Sequence, residues 1–271
     1  ACLMALSSAA QTSFPVIDGT PLEVAWYGPK PGAAPTIIFL HEGLGSMKMW
    51  RDFPQKLANE TGCSALVYSR RGYGQSGPAD LPRPTRYMHH EGLVVLPELL
   101  ATMGVQQHIV LGHSDGGSIA LVYAGGAAKP GLLGVITEAA HVFNEQVSHD
   151  SIQAAKVAYE TTDLREKLAR FHSDVDNAFR GWNDVWLSDD FWNWNLEEYL
   201  PRIRVPLLVI QGEQDQYGTV RQADAIVNQA GGPATRLILP ACAHTPHREA
   251  AEATFQAMRD FIQHLLIGTG A

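Results

Sequence analysis

An apolar run that ends in a glycine-rich turn constrains this chain more than any other feature. Residues 109–117 read Ile-Val-Leu-Gly-His-Ser-Asp-Gly-Gly, and residues 118–124 continue as Ser-Ile-Ala-Leu-Val-Tyr-Ala. The apolar run predicts a buried strand and the second segment predicts a helix, so the Gly-x-Ser-x-Gly pattern predicts a sharp turn between them. Glycine suits this turn because a Cβ would obstruct strained backbone angles and close approach of strand and helix.

The same context points to Ser114 as a nucleophile. The five-residue pattern alone is weak evidence, because it can arise by chance in a chain with 25 glycines among 271 residues. A strand before the serine and a helix after it are what the nucleophile elbow requires, with the helix N-terminus facing the reacting atom. The alternative is a serine that only caps a helix.

A nucleophilic serine needs a base that takes its proton and an acid that orients the base. The strand predicted at 206–212 runs into a polar loop that holds Asp215, and the strand predicted at 235–239 is followed by a loop that ends at His244. A long amphipathic helix is predicted from about Pro246. In the chain order serine, acid, histidine, Asp215 and His244 are therefore the predicted partners of the serine.

Taken together, these segments resemble the α/β-hydrolase superfamily, in its cap-containing, esterase-like branch, from about Phe14 to the C-terminus. The resemblance implies an α/β fold with a mostly parallel, eight-stranded sheet between helices, and catalytic groups at the carboxyl ends of the strands. Residues 41–46, His-Glu-Gly-Leu-Gly-Ser, resemble the oxyanion loop of the family. Residues 70–76 resemble its Arg-Gly-x-Gly-x-Ser segment, although Ser69 stands where an aspartate is common.

The oxyanion loop departs from the family at Glu42, where glycine is usual. The resemblance implies one oxyanion donor at the backbone N–H of Asp115, directly after the nucleophile. The second donor is the N–H of Gly43, which we prefer, or that of Leu44.

Rivals exist for both partners of Ser114. His247 lies three residues after His244, in the predicted first turn of the last helix. Glu213 precedes Asp215 by two residues, and Glu138 follows the preceding strand, an alternative acid position in this superfamily. We expect His41 and His113 to have structural roles beside the site.

Elsewhere the chain shows an N-terminal hairpin and one insertion. Residues 14–17 and 22–27 predict the hairpin, with a turn-favouring Asp-Gly at 18–19. Strands and helices then alternate until about residue 142, and the alternation stops over 143–201. We therefore predict a core domain of residues 1–142 and 202–271 and a helical cap, or lid, of residues 143–201.

The predicted cap is rich in aromatic residues. Four of the six tryptophans lie in it, with further aromatics among them: Trp182, Trp186, Trp192, Trp194, Phe171, Phe179, Phe191 and Tyr199. Such side chains could line an apolar substrate pocket or anchor the cap to itself and the core. We predict Trp182, Trp186 and Phe143 as substrate contacts.

Two carboxylates are further candidates for substrate binding, Glu42 and Asp115. The Gly-x-Ser-Asp-Gly-Gly pattern resembles hydrolases of amino-acid esters, in which the aspartate recognises the amino group. The alternative for Asp115 is an acidic residue that favours the helix dipole by about 0.3 to 1 kcal/mol. Cys242 is interpreted as a small packed side chain rather than a redox switch.

These features predict a serine hydrolase of small or medium carboxylic esters that needs no metal or organic cofactor. Lactone, thioester or amide hydrolysis, amino-acid ester hydrolysis and carbon–carbon bond hydrolysis of a dienoic ring-cleavage product use the same groups. A ligand-sensing receptor is an alternative from another class. An aspartate-nucleophile dehalogenase or epoxide hydrolase is disfavoured, because Ser114 occupies that place.

Bulk properties bear on partners and location. The formal charge of −8, without a long basic run, argues against a nucleic-acid partner. No stretch approaches the roughly 20 apolar residues of a membrane span. Cys2, Cys63 and Cys242 lie far apart, which predicts free thiols and a cytoplasmic location, although residues 1–10 could be the remnant of a signal peptide. The sequence leaves a monomer and a homodimer open.

Overall fold

An eight-stranded sheet lies at the centre of the computed structural model, which describes residues 10–128 and 130–269. The strands are β1 (Gln11–Ser13), β2 (Val16–Ile17), β3 (Thr20–Pro21), β4 (Val24–Tyr27), β5 (Thr36–Leu40), β6 (Ser64–Tyr68), β7 (His108–His113), β8 (Leu132–Glu138), β9 (Leu207–Gly212) and β10 (Ala234–Leu239). Their order across the large sheet is β1-β4-β6-β5-β7-β8-β9-β10, and β2 and β3 form a separate pair.

Strands β5 to β10 of the large sheet run parallel, whereas β4 pairs in antiparallel fashion with both of its neighbours, β1 and β6. The predicted fold class is therefore confirmed. Strands β5, β6, β7 and β9 are buried along their whole length. Helices cover both faces of a parallel sheet, which is why these strands read as continuous apolar runs in the sequence.

The helices are α1 (Phe53–Thr61), α2 (Tyr87–His90), α3 (Leu96–Thr102), α4 (Asp115–Gly126), α5 (Gln146–Thr161), α6 (Leu164–Leu168), α7 (Val175–Trp186), α8 (Val220–Gln229), α9 (Pro246–Glu249) and α10 (Ala251–Thr269). A π-helical turn at Glu91–Val95 joins α2 to α3, and 3₁₀ turns lie at Met47–Trp50, Asp189–Asn193 and Glu197–Arg202. The single helix predicted from Pro246 is instead two helices. Ala250 separates them because its backbone angles, φ −129° and ψ 53°, are not helical.

The N-terminal hairpin forms, but with different arms from those predicted. Asp18 and Gly19 take positive φ angles of 48° and 73° and connect β2 to β3. The outer pairing then joins Gln11–Ser13 to β4, and Phe14 lies in neither strand. The Asp-Gly pair locates the turn correctly, whereas the break between the β2–β3 pairing and the β1–β4 pairing was not predicted.

The segment over residues 143–201 is helical and fastened to the loops around the sheet. Leu196 N donates to Val142 O (2.7 Å) where this segment returns to the core. The imidazole of His172 accepts from Gly74 N (2.9 Å) and donates to Leu44 O (2.9 Å). Two loops of the core and the segment are thus held together by one buried ring.

Two further findings concern the helices and the cysteines. Among residues 10–128 and 130–269, no helix has the length and apolar character needed to cross a bilayer. Cys63 and Cys242 are free and buried. Cys2, and the interpretation of the first residues as a signal-peptide remnant, fall on residues 1–9, outside the described part of the chain.

Candidate active site

Ser114 stands on a strained turn between β7 and α4. Its φ of 54° and ψ of −116° lie where residues other than glycine rarely go. A Cβ on Gly112 would lie 2.2 Å from Gly116 O, and one on Gly116 would lie 2.1 Å from Leu40 O. Only glycine therefore allows the strand, the turn and the helix to approach this closely, and Ser114 N is held by Glu138 O at 2.8 Å.

The structure brings Ser114, His244 and Asp215 into one chain of hydrogen bonds. His244 Nε2 lies 2.9 Å from Ser114 Oγ, and His244 Nδ1 lies 2.9 Å from both oxygens of Asp215. The Asp215 carboxylate also accepts from Tyr217 N (2.8 Å) and from Gln211 Nε2 (2.9 Å). The acid is therefore fixed by groups on its own strand and loop, and it can fix the ring in turn.

Neighbouring charges and burial act in opposite directions on the pKa of His244. Burial by itself lowers the pKa of His244, but the hydrogen bond and negative charge of Asp215 outweigh it, and the pKa is raised. For Asp215 the effects have the opposite sign. Burial raises the pKa of its carboxyl group, but the hydrogen bond to His244 outweighs burial, and the pKa is lowered. The negative charge of Asp215 and the positive charge of a protonated His244 therefore favour each other.

None of the three rival residues contacts Ser114 or His244 in this way. Glu213 is exposed, and His247 pairs with Glu138, its Nδ1 lying 3.0 Å from Glu138 Oε2. His247 N also donates to Glu138 Oε1 (2.8 Å). Because this second pair is buried and complete, it anchors the start of α9 directly after the His244 loop.

His113 is hydrogen-bonded to the loop that contains His244. Its Nε2 donates to His244 O (2.7 Å), and burial lowers its pKa to about 3, so the ring is neutral. His41 is 2% exposed, its Nδ1 donates to Glu42 O (2.7 Å) and its Nε2 accepts from Arg70 N (3.0 Å). The structural roles expected of the two histidines stay a prediction.

The two backbone groups proposed for the second oxyanion donor differ in their availability. Leu44 N donates to Glu42 Oε2 (2.8 Å), so it is already engaged. Within the described residues, no hydrogen bond uses the N–H of Gly43. Asp115 is the first residue of α4, where an N–H has no partner inside the helix. The free groups are therefore those of Gly43 and Asp115.

A cavity of about 60 Å³ opens beside Ser114. Its lining includes most of the predicted substrate contacts: Glu42, Asp115, Trp182 and Trp186. Phe143 is not among the lining residues, and its ring instead lies 5.6 Å from the Arg221 guanidinium. The backbone of Phe143 forms an antiparallel bridge with Asn195, so the structure gives this residue other contacts than the predicted one with a substrate in this cavity.

The tryptophans of residues 143–201 differ in burial and in whether they line the cavity. Trp194 is buried and stacks on Phe191 with ring centroids 5.2 Å apart. Trp192 is 46% exposed. Only Trp182 and Trp186, both on α7, reach the cavity, so the segment both anchors itself and lines the site.

Sequence reasoning missed several residues of the lining: His141, Ser148, Ile152 and Tyr217. His141 Nε2 donates to Tyr217 O (2.9 Å), and burial lowers the pKa of the ring, which stays neutral. His141 follows β8 by three residues and Tyr217 follows Asp215 by two. Their positions past the carboxyl ends of two neighbouring strands were the only signal that could have found them.

The carboxylates of Glu42 and Asp115 in the cavity lining already accept hydrogen bonds. Asp115 Oδ2 accepts the phenol proton of Tyr87, whose oxygen accepts from Trp186 Nε1 (3.1 Å). Burial raises the pKa of Glu42. Among the residues that the structure describes, no group of three or more His, Cys, Asp or Glu side chains could hold a metal ion.

Sequence comparison finds a family and a short local match. The model of the Alpha/beta hydrolase family matches residues 37–257. A proline iminopeptidase of Lactobacillus delbrueckii subsp. lactis is 29% identical over 87 residues. That match covers 32% of this chain, and the chain spans only 30% of the length of this relative.

Comparison with solved structures covers nearly the whole chain. The proline iminopeptidase of Mycobacterium smegmatis is 20% identical with a TM-score of 0.73, covering 96% of this chain and 100% of that one. An esterase from Exiguobacterium antarcticum is 19% identical, with a TM-score of 0.74 and coverage of 93% and 100%. The enol-lactonase from Burkholderia xenovorans LB400 is 22% identical, with a TM-score of 0.67 and coverage of 92% and 99%.

At such identities the structures speak for the fold alone, whereas the family model extends over most of the chain. The chain belongs to the alpha/beta hydrolase family.

Proposed function

We propose that this hydrolase cleaves carboxylic esters of small or medium size through an acyl-enzyme on Ser114. The observation that carries the proposal is the chain of hydrogen bonds from Ser114 through His244 to Asp215 at the wall of a cavity. A serine whose Oγ lies 2.9 Å from Nε2 of a buried, carboxylate-oriented imidazole is activated for attack on a carbonyl carbon.

Acylation follows from this geometry. His244 Nε2 takes the proton of Ser114 Oγ as the oxygen attacks the ester carbonyl, and Asp215 stabilises the imidazolium. The N–H groups of Gly43 and Asp115 bind the oxyanion of the tetrahedral intermediate. When the intermediate collapses, the carbon–oxygen bond to the alcohol breaks and His244 returns its proton to the departing alkoxide.

Deacylation repeats the sequence with water. His244 takes one proton from a water molecule that attacks the acyl carbonyl, and the same two N–H groups bind the second oxyanion. The bond to Ser114 Oγ then breaks and the proton on His244 passes to the serine. The carboxylic acid leaves, and the enzyme returns to its starting state.

We propose that residues 143–201 form a cap over this site. Trp182 and Trp186 of α7 lie in the cavity lining, opposite the core residues Ser114 and His244. A space of about 60 Å³ favours short acyl groups. Motion of the segment would be needed to admit longer ones.

A second candidate is hydrolysis of amino-acid esters or of amides with a free amino group. Glu42 and Asp115 both line the cavity and could face a cationic group. The similarity to proteins named proline iminopeptidase favours the same idea. Against it, each carboxylate already accepts a hydrogen bond, from Leu44 N and from Tyr87 respectively.

The cytoplasm is the location we propose for this activity. Burial raises the pKa of Cys63 and raises that of Cys242 to about 11, so both thiols stay protonated. Protonated thiols react slowly, and free thiols are usual in a reducing compartment. This supports a packing role for Cys242.

The test is steady-state hydrolysis of p-nitrophenyl esters from acetyl to long acyl, together with an α-amino acyl ester and a coloured dienoate. We expect short esters to be the best substrates and Ser114→Ala to abolish turnover. Consumption of the dienoate with poor ester turnover would instead identify a carbon–carbon hydrolase. Asp115→Asn decides the second candidate, which requires a selective loss on the α-amino ester and fails if both ester types lose equally.

A further inference from the structure

Arg70 is a buried cation whose guanidinium donates to two backbone carbonyls, and its Cζ lies 5.0 Å from the centre of the Tyr73 ring. It is 1% exposed, and the arginine ion pairs in the described part of the chain involve other residues. Its guanidinium donates Nη1–H to His41 O and Nη2–H to Glu42 O (3.4 Å). Burying an arginine without a paired carboxylate costs free energy of folding, which suggests that its contacts with the loop serve a function.

The backbone of Arg70 holds the same loop through His41. Arg70 N donates to His41 Nε2 (3.0 Å), which fixes the ring proton on Nδ1. Nδ1–H then donates to Glu42 O (2.7 Å), and Gly45 N donates to this oxygen as well (3.0 Å). The Glu42 carbonyl is therefore held by the ring, the loop and the guanidinium.

The orientation of this carbonyl decides where the next N–H points. Glu42 C=O and Gly43 N–H belong to one planar trans peptide, in which the two groups point in opposite directions. Since the oxygen faces Arg70 and His41, the N–H of Gly43 faces away from them, and Gly43 lines the cavity beside Ser114.

We propose that Arg70 is a positioning residue for the oxyanion donor on Gly43. This inference rests on the proposed function. The guanidinium keeps the Glu42–Gly43 peptide from rotating and places a positive charge behind it. Both effects favour the transition state, in which the substrate oxygen becomes negative, more than they favour the bound ester.

The test compares Arg70→Gln and Arg70→Lys with the wild type on p-nitrophenyl acetate. We expect Arg70→Gln to lower kcat by about 10- to 100-fold with KM changed by less than about twofold. Arg70→Lys keeps the charge but cannot bond both carbonyls, so its kcat should fall by only about 3- to 10-fold. Affinity for an alkyl boronic acid, which mimics the tetrahedral intermediate, should fall in parallel with kcat.

The controls separate positioning from folding. Arg71→Gln alters the neighbouring arginine, which bonds Pro78 O and Asp80 near the surface, and should leave kcat and boronate affinity unchanged. A role in stability alone would lower the melting temperature of Arg70→Gln without weakening boronate binding by the folded fraction.

The remaining outcomes each contradict either the role of Arg70 or the proposed function. A folded Arg70→Gln with kcat within twofold of wild type overturns the inference. If Arg70→Gln does not fold, full kcat in Arg70→Lys overturns it. Absence of Ser114-dependent turnover in the wild type contradicts the proposed function itself, whereas wild-type turnover that is indifferent to Arg70 contradicts only the role of Arg70.

Discussion

The Asp215 carboxylate receives hydrogen bonds from His244, Gln211 and Tyr217 while its side chain is 1% exposed. The same carboxylate is the main influence that raises the pKa of His244 against the effect of burial. A base must be unprotonated to act, so the activity of the wild type should rise with pH as His244 loses its proton. The midpoint of that rise should lie above 6.5, the ordinary value for histidine.

Replacing the acid should move this midpoint in a defined direction. In Asp215→Asn the bond and the charge that raise the His244 pKa are lost and burial remains, so the midpoint of kcat/KM should shift to lower pH. The rate at the plateau should fall by about 10⁴-fold, because the neutral amide no longer stabilises the imidazolium. The measurement is kcat/KM against pH for both proteins.

The matched control is Glu213→Gln, which removes an exposed carboxylate two residues away. It should leave both the midpoint and the plateau of the wild type in place. An unmoved or higher midpoint in Asp215→Asn would refute the assignment of the titrating group to His244.

At this scale the sequence predicted some roles and not others. Ser114, Asp215 and His244 could be predicted because each follows the end of a predicted strand and because their order along the chain is that of the family. The choice between Gly43 and Leu44 depends on where the Glu42 side chain turns, and it turns onto Leu44 N. The contacts of Arg70 with the loop before it depend on the pairing of β5 with β6, which no local pattern reveals.

The secondary-structure elements were predictable where a single rule applied. The apolar run predicted as a strand at 206–212 marks β9 to within a residue, because a strand covered on both faces has few polar positions. The break at Ala250 between α9 and α10 was missed. Pro246 signals a helix start correctly, but alanine is the strongest helix former, so Ala250 gives no signal that α9 ends there.

Helix α7 sets the size of the proposed acyl site. Trp182 is 6% exposed, and its Nε1 lies so close to Gly43 that a Cβ there would be 2.3 Å away. Trp182→Ala should enlarge the cavity and raise kcat/KM for hexanoyl relative to acetyl esters. Truncating a buried tryptophan should also reduce stability by about 3 to 5 kcal/mol, measured by denaturant unfolding.

Trp192→Ala is the comparison for this variant. Trp192 belongs to the same segment but is 46% exposed, so neither acyl preference nor stability should change appreciably. A folded Trp182→Ala with the acyl preference of the wild type would show that the tryptophan does not limit the acyl site.

For the whole molecule, the parallel sheet assembles the site from distant parts of the chain. The loops after β5, β7, β9 and β10 meet at one edge of the sheet, which unites Glu42, Ser114, Asp215 and His244. Parallel strands place their carboxyl ends together, so this convergence was predictable once the fold class was known. The fold does not select the bond to be cleaved, since its structural neighbours include a peptidase, an esterase and a lactonase.

The most direct test of the account is to trap the acyl-enzyme. The protein is mixed with p-nitrophenyl acetate, quenched in acid within the first turnover, and analysed by peptide mass spectrometry. We predict one acetyl group on the peptide that contains Ser114 and none on that peptide in Ser114→Ala. Turnover with no adduct on Ser114, or undiminished turnover by Ser114→Ala, would contradict the proposal that Ser114 is the nucleophile.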